Sequence, residues 1–393
     1  MTKGSYECEL LRLNGRRSLC RTRTRMFGEV GGDPVRRDLS SPFTRMLASW
    51  DTAKHSVFWS SPSLSWFGTI IPIAIGLDPH DVEHLYRKVG GAGFCHHKRA
   101  MVFALAAVEM ACWDLVGKAS GAPLHKLWGG KYRERIEMIA YLFVSDPEKV
   151  AAEARHFVER GFRTIKLKIG VDERSDVPIV KAVREAVGPD IRIRADVNGA
   201  WTPGTAKRMI SRLAPFDLEY VEQPLVHDDL LGHAQLRRWS PVPIALDESA
   251  YTTTDVLNII RAEAADVILL DPHEAGGLWQ ARKAASICEA AGIPVTLHSG
   301  GELGFSTAAY LHLAASTPNM FLAIDGQQHN QTDDVVPDPE VFRYDQGCFK
   351  VPSGPGLGMS LDEAKLARNS TETIREAYLD VQRPEWFAEK PAY

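Results

Sequence analysis

TIKLK (residues 164–168), IRIRAD (191–196), LEYVE (218–222), PIALD (243–247), DVILLD (266–271) and IPVTLH (293–298) decide the fold. Each is a short apolar run that ends on an ionisable residue: Lys168, Asp196, Glu222, Asp247, Asp271 and His298. Successive members are 24 to 28 residues apart, and Asp325 extends the series by another 27. One strand, one helix and two loops take roughly that many residues. Charged groups at the ends of successive parallel strands converge on one face, which is where a (β/α)8 barrel keeps its chemistry.

Working outward, residues from 135 onward alternate strictly. Strands are predicted over 136–144, 164–169, 191–197, 218–222, 244–247, 266–270, 294–298 and 322–325, with helices at 147–160, 177–187 and 205–213 among those between them. That is the eight-strand count a closed barrel needs. Gly161, Gly188 and Gly292 stand where helices should stop. The first 130 residues read differently. Strand-like pieces lead to the turn Gly28-Glu29-Val30-Gly31-Gly32, and a Ser/Pro/Trp-rich stretch over 40–65 reads as an irregular loop. Asp78-Pro79-His80-Asp81 opens a helix through Val89, and 99–120 form a second, buried helix ended by Gly121. Strands followed by helices suggest an α+β unit. The expected division is an α+β domain over 1–130, completed by the loop-rich tail at about 345–393, and a barrel over 131–344.

Composition bounds the function. The 393 residues are 45% hydrophobic and 24% charged, with a net charge of -4. No basic surface favours nucleic acid. The six cysteines are scattered without a C-x-x-C pair and read as reduced thiols. The N-terminus MTKGSYECELL has no signal-peptide core, and no uninterrupted apolar run nears about 18 residues. A soluble, cytoplasmic protein without a membrane partner is expected.

Three strand-end carboxylates, Asp196, Glu222 and Asp247, would repel one another unless they share a cation, and oxygen donors suit Mg2+. Glu248 competes with Asp247 for the third place, because adjacent strand residues point to opposite sides. Lys166 and Lys168, two apart, share a side, and in a barrel mouth one can act as a base while the other stays charged. Asp271 and His298 end neighbouring strands, and an Asp bonded to a His fixes its tautomer.

These motifs resemble the enolase superfamily, specifically its mandelate racemase-like branch. The matching segments are Lys166-Leu167-Lys168, ADVNGAW (195–201), VEQPL (221–225), PIALDES (243–249), LLDPHEAGG (269–277) and VTLHSGGELG (295–304). MACWDLVGKASGAPLHKLWGG (110–130) and PSGPGLGMSLDE (352–363) are similar as well, so the resemblance covers about 67–365. It implies an α/β fold, a modified (β/α)7β TIM barrel with an α+β N-terminal capping domain. GGELG (300–304) and AIDGQ (323–327) look most like glucarate dehydratase-type enzymes. In that group the third metal ligand can be an amide at the position of Asp247, whereas mandelate racemase favours that of Glu248. The first 65 residues depart from the pattern, which leaves the substrate open.

The resemblance implies a Mg2+-dependent lyase that removes the proton α to a carboxylate. Asp196, Glu222 and Asp247 (or Glu248) would bind the metal. Lys166 would neutralise a substrate carboxylate oxygen, and Lys168 would be one base. Asp271 and His298 would form the opposing dyad, with Asn198 and Asp325 supporting or touching substrate. The expected activity is acid sugar dehydration to a 2-keto-3-deoxy acid. The alternatives are a racemase or epimerase of a 2-hydroxy acid, or an inactive acid-sugar-binding paralogue. The expected partner is a small carboxylate sugar, in a homo-oligomer.

Overall fold

The computed structural model describes residues 9–11, 19–21, 69–143, 145–337 and 342–369, with the side chains of 1–68 and 93–97 excluded. The expected turn at Gly28–Gly32 and the 40–65 loop lie outside the described residues. Within the unit formed by the first 41 residues, β1 (Glu9–Leu11) and β2 (Leu19–Arg21) pair antiparallel, with Leu10 opposite Cys20.

In the second unit, one helix, α1 (Val82–Ala119), replaces the two expected. It runs through Gly90 and Gly91, each of which costs a helix only about 1 kcal/mol, less than packing from residues such as Met101, Leu105 and Val108 returns. Its segment Lys98–Ala119 is long and apolar enough to cross a membrane, even though Glu109 and Asp114 interrupt it. The helix is 83% buried over that window, which makes it a core helix of this fold. A short helix α2 (Leu124–Leu127) follows it.

The barrel sheet holds seven parallel strands: β4 (Ala140–Leu142), β5 (Thr164–Lys168), β6 (Arg192–Asp196), β7 (Tyr220–Glu222), β8 (Ile244–Leu246), β9 (Val267–Leu270) and β10 (Val295–Leu297). The expected strand over 136–144 is two pieces. Its first part, β3 (Arg135–Glu137), pairs antiparallel with β11 (Cys348–Lys350), outside the barrel. The expected eighth strand at 322–325 is reduced to one bridge between Ile324 and Met138. Ile324 N–H donates to Glu137 O at 2.9 Å, Ile324 O accepts from Ile139 N–H at 3.0 Å and Asp325 N–H donates to Leu297 O at 3.1 Å, so this residue pair joins the segment between β3 and β4 to β10. A full ladder does not form because Ala323 O is taken by the Arg194 guanidinium and the Thr296 hydroxyl, both at 2.8 Å.

Between the strands run α3 (Pro147–Glu159), α4 (Glu173–Val187), α5 (Pro203–Leu213), α6 (Leu230–Trp239), α7 (Thr253–Ala262), the short α8 (Pro272–Ala275), α9 (Leu278–Ala290) and α10 (Gly304–Ser316). Side-chain caps set several starts: Asp146, Thr202 and the Thr252–Asp255 capping box. Helix α4 begins four residues before its expected start because Asp172 accepts the Arg174 N–H at 3.0 Å. In the tail, Leu357 N–H donates to Asp114 Oδ1 at 2.8 Å, tying residues after β11 to α1. This requires a close backbone approach: a Cβ on Gly117 would lie 2.5 Å from Gly356 Cα. Cys112 and Cys288 are buried free thiols, and Cys348 is a half-buried one.

Helix α9 has no cap of its own, and α1 supplies one. Glu109 accepts the Leu278 and Trp279 N–H groups at 2.8 and 2.9 Å, and Trp113 Nε1–H at 2.8 Å. Burial outweighs those donors and pushes the Glu109 carboxyl from its usual 4.5 up to about 7. The unfolded chain therefore loses this proton before the folded one does, so stability falls as pH rises from 4.5 to 7. Glu109→Gln is expected to flatten that slope by up to about 1.4 kcal/mol per pH unit, read from denaturant melts across the window. An unchanged slope would remove Glu109 as its source.

Candidate active site

Parallel register sets the strand ends side by side: Lys168 is opposite Asp196, and Asp196 opposite Glu222. Strand alternation turns Lys166 and Lys168 inward together, and both ammoniums lie over the Tyr141 ring, at 5.4 and 5.5 Å from its centroid. Lys166 is fully buried. Its Nζ lies 2.5 Å from Glu222 Oε1, 2.6 Å from Asp325 Oδ2 and 3.1 Å from Asp196 Oδ2. Burial opposes its charge, but Asp196, Asp325 and Glu222 outweigh burial and hold the ammonium well above its usual range. Lys168 donates to Asp196 Oδ2 and to Asn198 Oδ1, each at 2.5 Å. Asn198 sits in the left-handed region (φ 47°) and donates from Nδ2 to Glu248 Oε1 at 2.7 Å.

The carboxylates titrate in opposite directions. Burial would raise Asp196, yet Lys166 and Lys168 hold it well below the usual range. Burial, with Asp196 and Asp325, pushes Glu222 well above it. Asp247 is also pushed well above by burial, against the pull of His298. Asp247 and Glu248 are not equivalent. Asp247 is 1% exposed with neither oxygen hydrogen-bonded, whereas Glu248 has one oxygen on Asn198.

The opposing pair also comes together. His298 Nδ1 lies 3.3 Å from Asp271 Oδ2, and its Nε2 lies 3.7 Å from Asp247 Oδ2. Asp271 is itself held, because its Oδ1 accepts the Tyr310 hydroxyl at 2.5 Å and the His273 N–H at 2.7 Å. Burial works against the charge on His298. Asp247, Asp271 and Glu274 outweigh it and hold the imidazole well above its usual range.

Three features escaped the sequence reading. Glu274 presents a ligand atom within 4.8 Å of those of Asp271 and His298, and burial with Asp271 pushes it up to about 8. It lies three residues after Asp271 in a motif read for that aspartate alone. Asp271, His273 and Glu302 form a second such cluster. Arg194, fully buried, fills the barrel interior, with its guanidinium 4.8 Å over Tyr220 and 3.9 Å from Asp325. The alternation that turns Asp196 inward also turns in Arg194, two residues before it. Asp325, expected to touch substrate, accepts from Lys166.

The residues fit a divalent cation on one observation. Glu222 Oε2 and both Asp247 oxygens are buried without a hydrogen-bond partner. Such carboxylates are costly unless a cation meets them.

Comparison with known proteins places these motifs in company. A family profile described as "Enolase C-terminal domain-like" matches residues 149–365, and one for the N-terminal domain of mandelate racemase and muconate lactonizing enzyme matches 67–129. A probable glucarate dehydratase of Streptomyces coelicolor is 34% identical over 91% of this chain and 87% of its own. The N-succinyl-L-Arg/Lys racemase of Bacillus cereus is 30% identical over 78% of this chain and 81% of its own. Among solved structures, a putative sugar isomerase from Streptomyces coelicolor, described as an enolase, superposes with a TM-score of 0.74. It is 35% identical and covers 79% of this chain and 84% of its own.

Proposed function

We propose that this chain, which belongs to the enolase superfamily and within it to the mandelate racemase branch, is a dehydratase of sugar acids. Superfamily members use Mg2+, and relatives at this similarity include dehydratases, racemases and epimerases. The observation that carries the reading is the pairing of a lysine at the end of β5 with a histidine just past β10 that is oriented by Asp271 at 3.3 Å. Elimination needs a base for the α-proton and an acid to protonate the departing hydroxyl, and this pair supplies one of each. Arabinonate and gluconate dehydratases among the relatives support the same direction.

Asp196, Glu222 and Asp247 would hold Mg2+, which when bound supplies positive charge beside the oxygens of an enediolate. Lys168, in its neutral form, takes the proton α to the carboxylate, and Asn198 positions its Nζ. Lys166 offsets charge on a carboxylate oxygen that grows only during reaction, and Asp325 anchors Lys166. His298, oriented by Asp271, gives its proton to the β-hydroxyl, which leaves as water. The enol product then ketonises to a 2-keto-3-deoxy acid. Racemisation remains the second reading, favoured by the similarity to the Bacillus cereus racemase, and it uses the same two faces without loss of water. Screening mono- and diacid sugars with Mg2+ for 2-keto acid formation tests the proposal. At least one sugar acid should give product. Turnover confined to inversion at the α-carbon would overturn it.

A further inference from the structure

Beside the dyad lies a cavity of about 580 Å3, walled by Lys98 and Arg99 of α1, His227 from the loop after β7, Ser249 and Tyr251 from the loop after β8, and Asn258 of α7. His227, Ser249 and Tyr251 follow β7 and β8 at their C-terminal ends, the ends that also carry the strand-end carboxylates. Its two cations are not alike. Lys98 Nζ is closed onto both oxygens of Asp255, at 2.6 and 2.7 Å. Arg99 stacks on Tyr251, with its guanidinium carbon 4.6 Å from the ring centroid. Its nearest acid, Asp228, is 3.7 Å away and 83% exposed, a pairing worth little in water. Among the described residues nothing hydrogen-bonds the Arg99 guanidinium. Stacking fixes the plane of the guanidinium and leaves the donor edge of the fork open, the geometry that takes a carboxylate through two parallel bonds.

Tyr251 connects this cavity to the chemistry. Its ring meets Arg99 and, edge-on, Phe103 at 6.1 Å. Its hydroxyl reaches Glu274, which lies within 4.8 Å of Asp271 and His298. The cavity and the reaction centre therefore share one wall.

The geometry points to this cavity as the subsite for a second carboxylate of the substrate, held by Arg99, so that sugar diacids are preferred over sugar mono-acids. The inference rests on the sugar-acid reading above and deepens it. Asn258 on the cavity wall supplies a neutral hydrogen-bonding group for the hydroxyls between the two ends.

The test compares matched pairs that differ only at the far carbon, such as glucarate and gluconate and their epimers, with Mg2+-loaded enzyme in deuterated water. The readout is loss of the α-proton signal, as exchange into recovered substrate or as conversion to product, because both dehydration and epimerisation require removal of that proton. The diacid of the best pair should exceed its mono-acid at least 10-fold in kcat/KM, carried by KM. Arg99→Gln should collapse that ratio toward one, and Arg99→Lys should restore part of it. The ratio is internally controlled, because a folding defect lowers both substrates together. Equal or better exchange with mono-acids, or a diacid preference that survives Arg99→Gln, would overturn the inference while leaving the sugar-acid reading intact. Exchange with no sugar acid of either kind would overturn both.

Discussion

His298→Asn is expected to abolish dehydration, by about 10²–10⁴-fold, while exchange of the α-proton with solvent survives. The two steps belong to different faces of the site. Lys168, held by Asp196 and Asn198, handles the α-proton. His298, held by Asp271 at 3.3 Å, delivers a proton to the leaving hydroxyl. Asparagine keeps a polar amide but has no proton to give at neutral pH. Lys168→Met should lose exchange and dehydration together. Proton NMR in deuterated water reads exchange, and a 2-keto acid assay reads product. Loss of exchange in the His298 variant, with exchange retained in the Lys168 variant, would reverse the two assignments.

The second large effect concerns the metal. Asp247→Leu is expected to weaken Mg2+ binding by more than about 100-fold, since it removes the oxygen donor outright and even an outer hydrogen-bonding partner of a ligand is worth 10–100-fold. Glu248→Gln should cost less than about 10-fold, because the Glu248 contact is an Asn198 amide that glutamine can also accept. Without Mg2+ the Asp247 variant should melt at a higher temperature than the parent. It removes a buried, unpartnered carboxyl whose ionisation burial disfavours. Saturating Mg2+ should then raise the melting temperature of the parent far more than that of the variant. Calorimetric titration and thermal melts read both. A Glu248→Gln protein that loses Mg2+ while Asp247→Leu keeps it would move the third ligand to Glu248.

The barrel was legible because its period is long and its strand ends are chemically marked. Six strand-end residues, read at a spacing of 24 to 28, fall where β5 to β10 end. Closure was less legible. Four residues at 322–325 read as a strand, but the carbonyl of Ala323 serves Arg194 and Thr296, and only Ile324 bridges. Helix α1 shows the reverse error, since a helix through Val89 and another over 99–120 were expected where one helix stabilised by burial runs on through Gly90 and Gly91. In the site, the lysine pair and the dyad were visible as sequence patterns. Glu274 was not, because its place beside His298 depends on the short turn of α8 after Asp271. The cavity at Arg99 was invisible for the same kind of reason: residues more than 120 positions apart, in α1 and the loops after β7 and β8, build it.

The central claim is that this site removes water from a sugar acid after taking its α-proton. The most direct measurement follows one accepted sugar acid by NMR with Mg2+-loaded enzyme in deuterated water. The account predicts loss of the β-hydroxyl and a 2-keto-3-deoxy product that carries deuterium at the former β-carbon, delivered from solvent as the enol ketonises. Deuterium at an inverted α-carbon, with every hydroxyl retained, would contradict it.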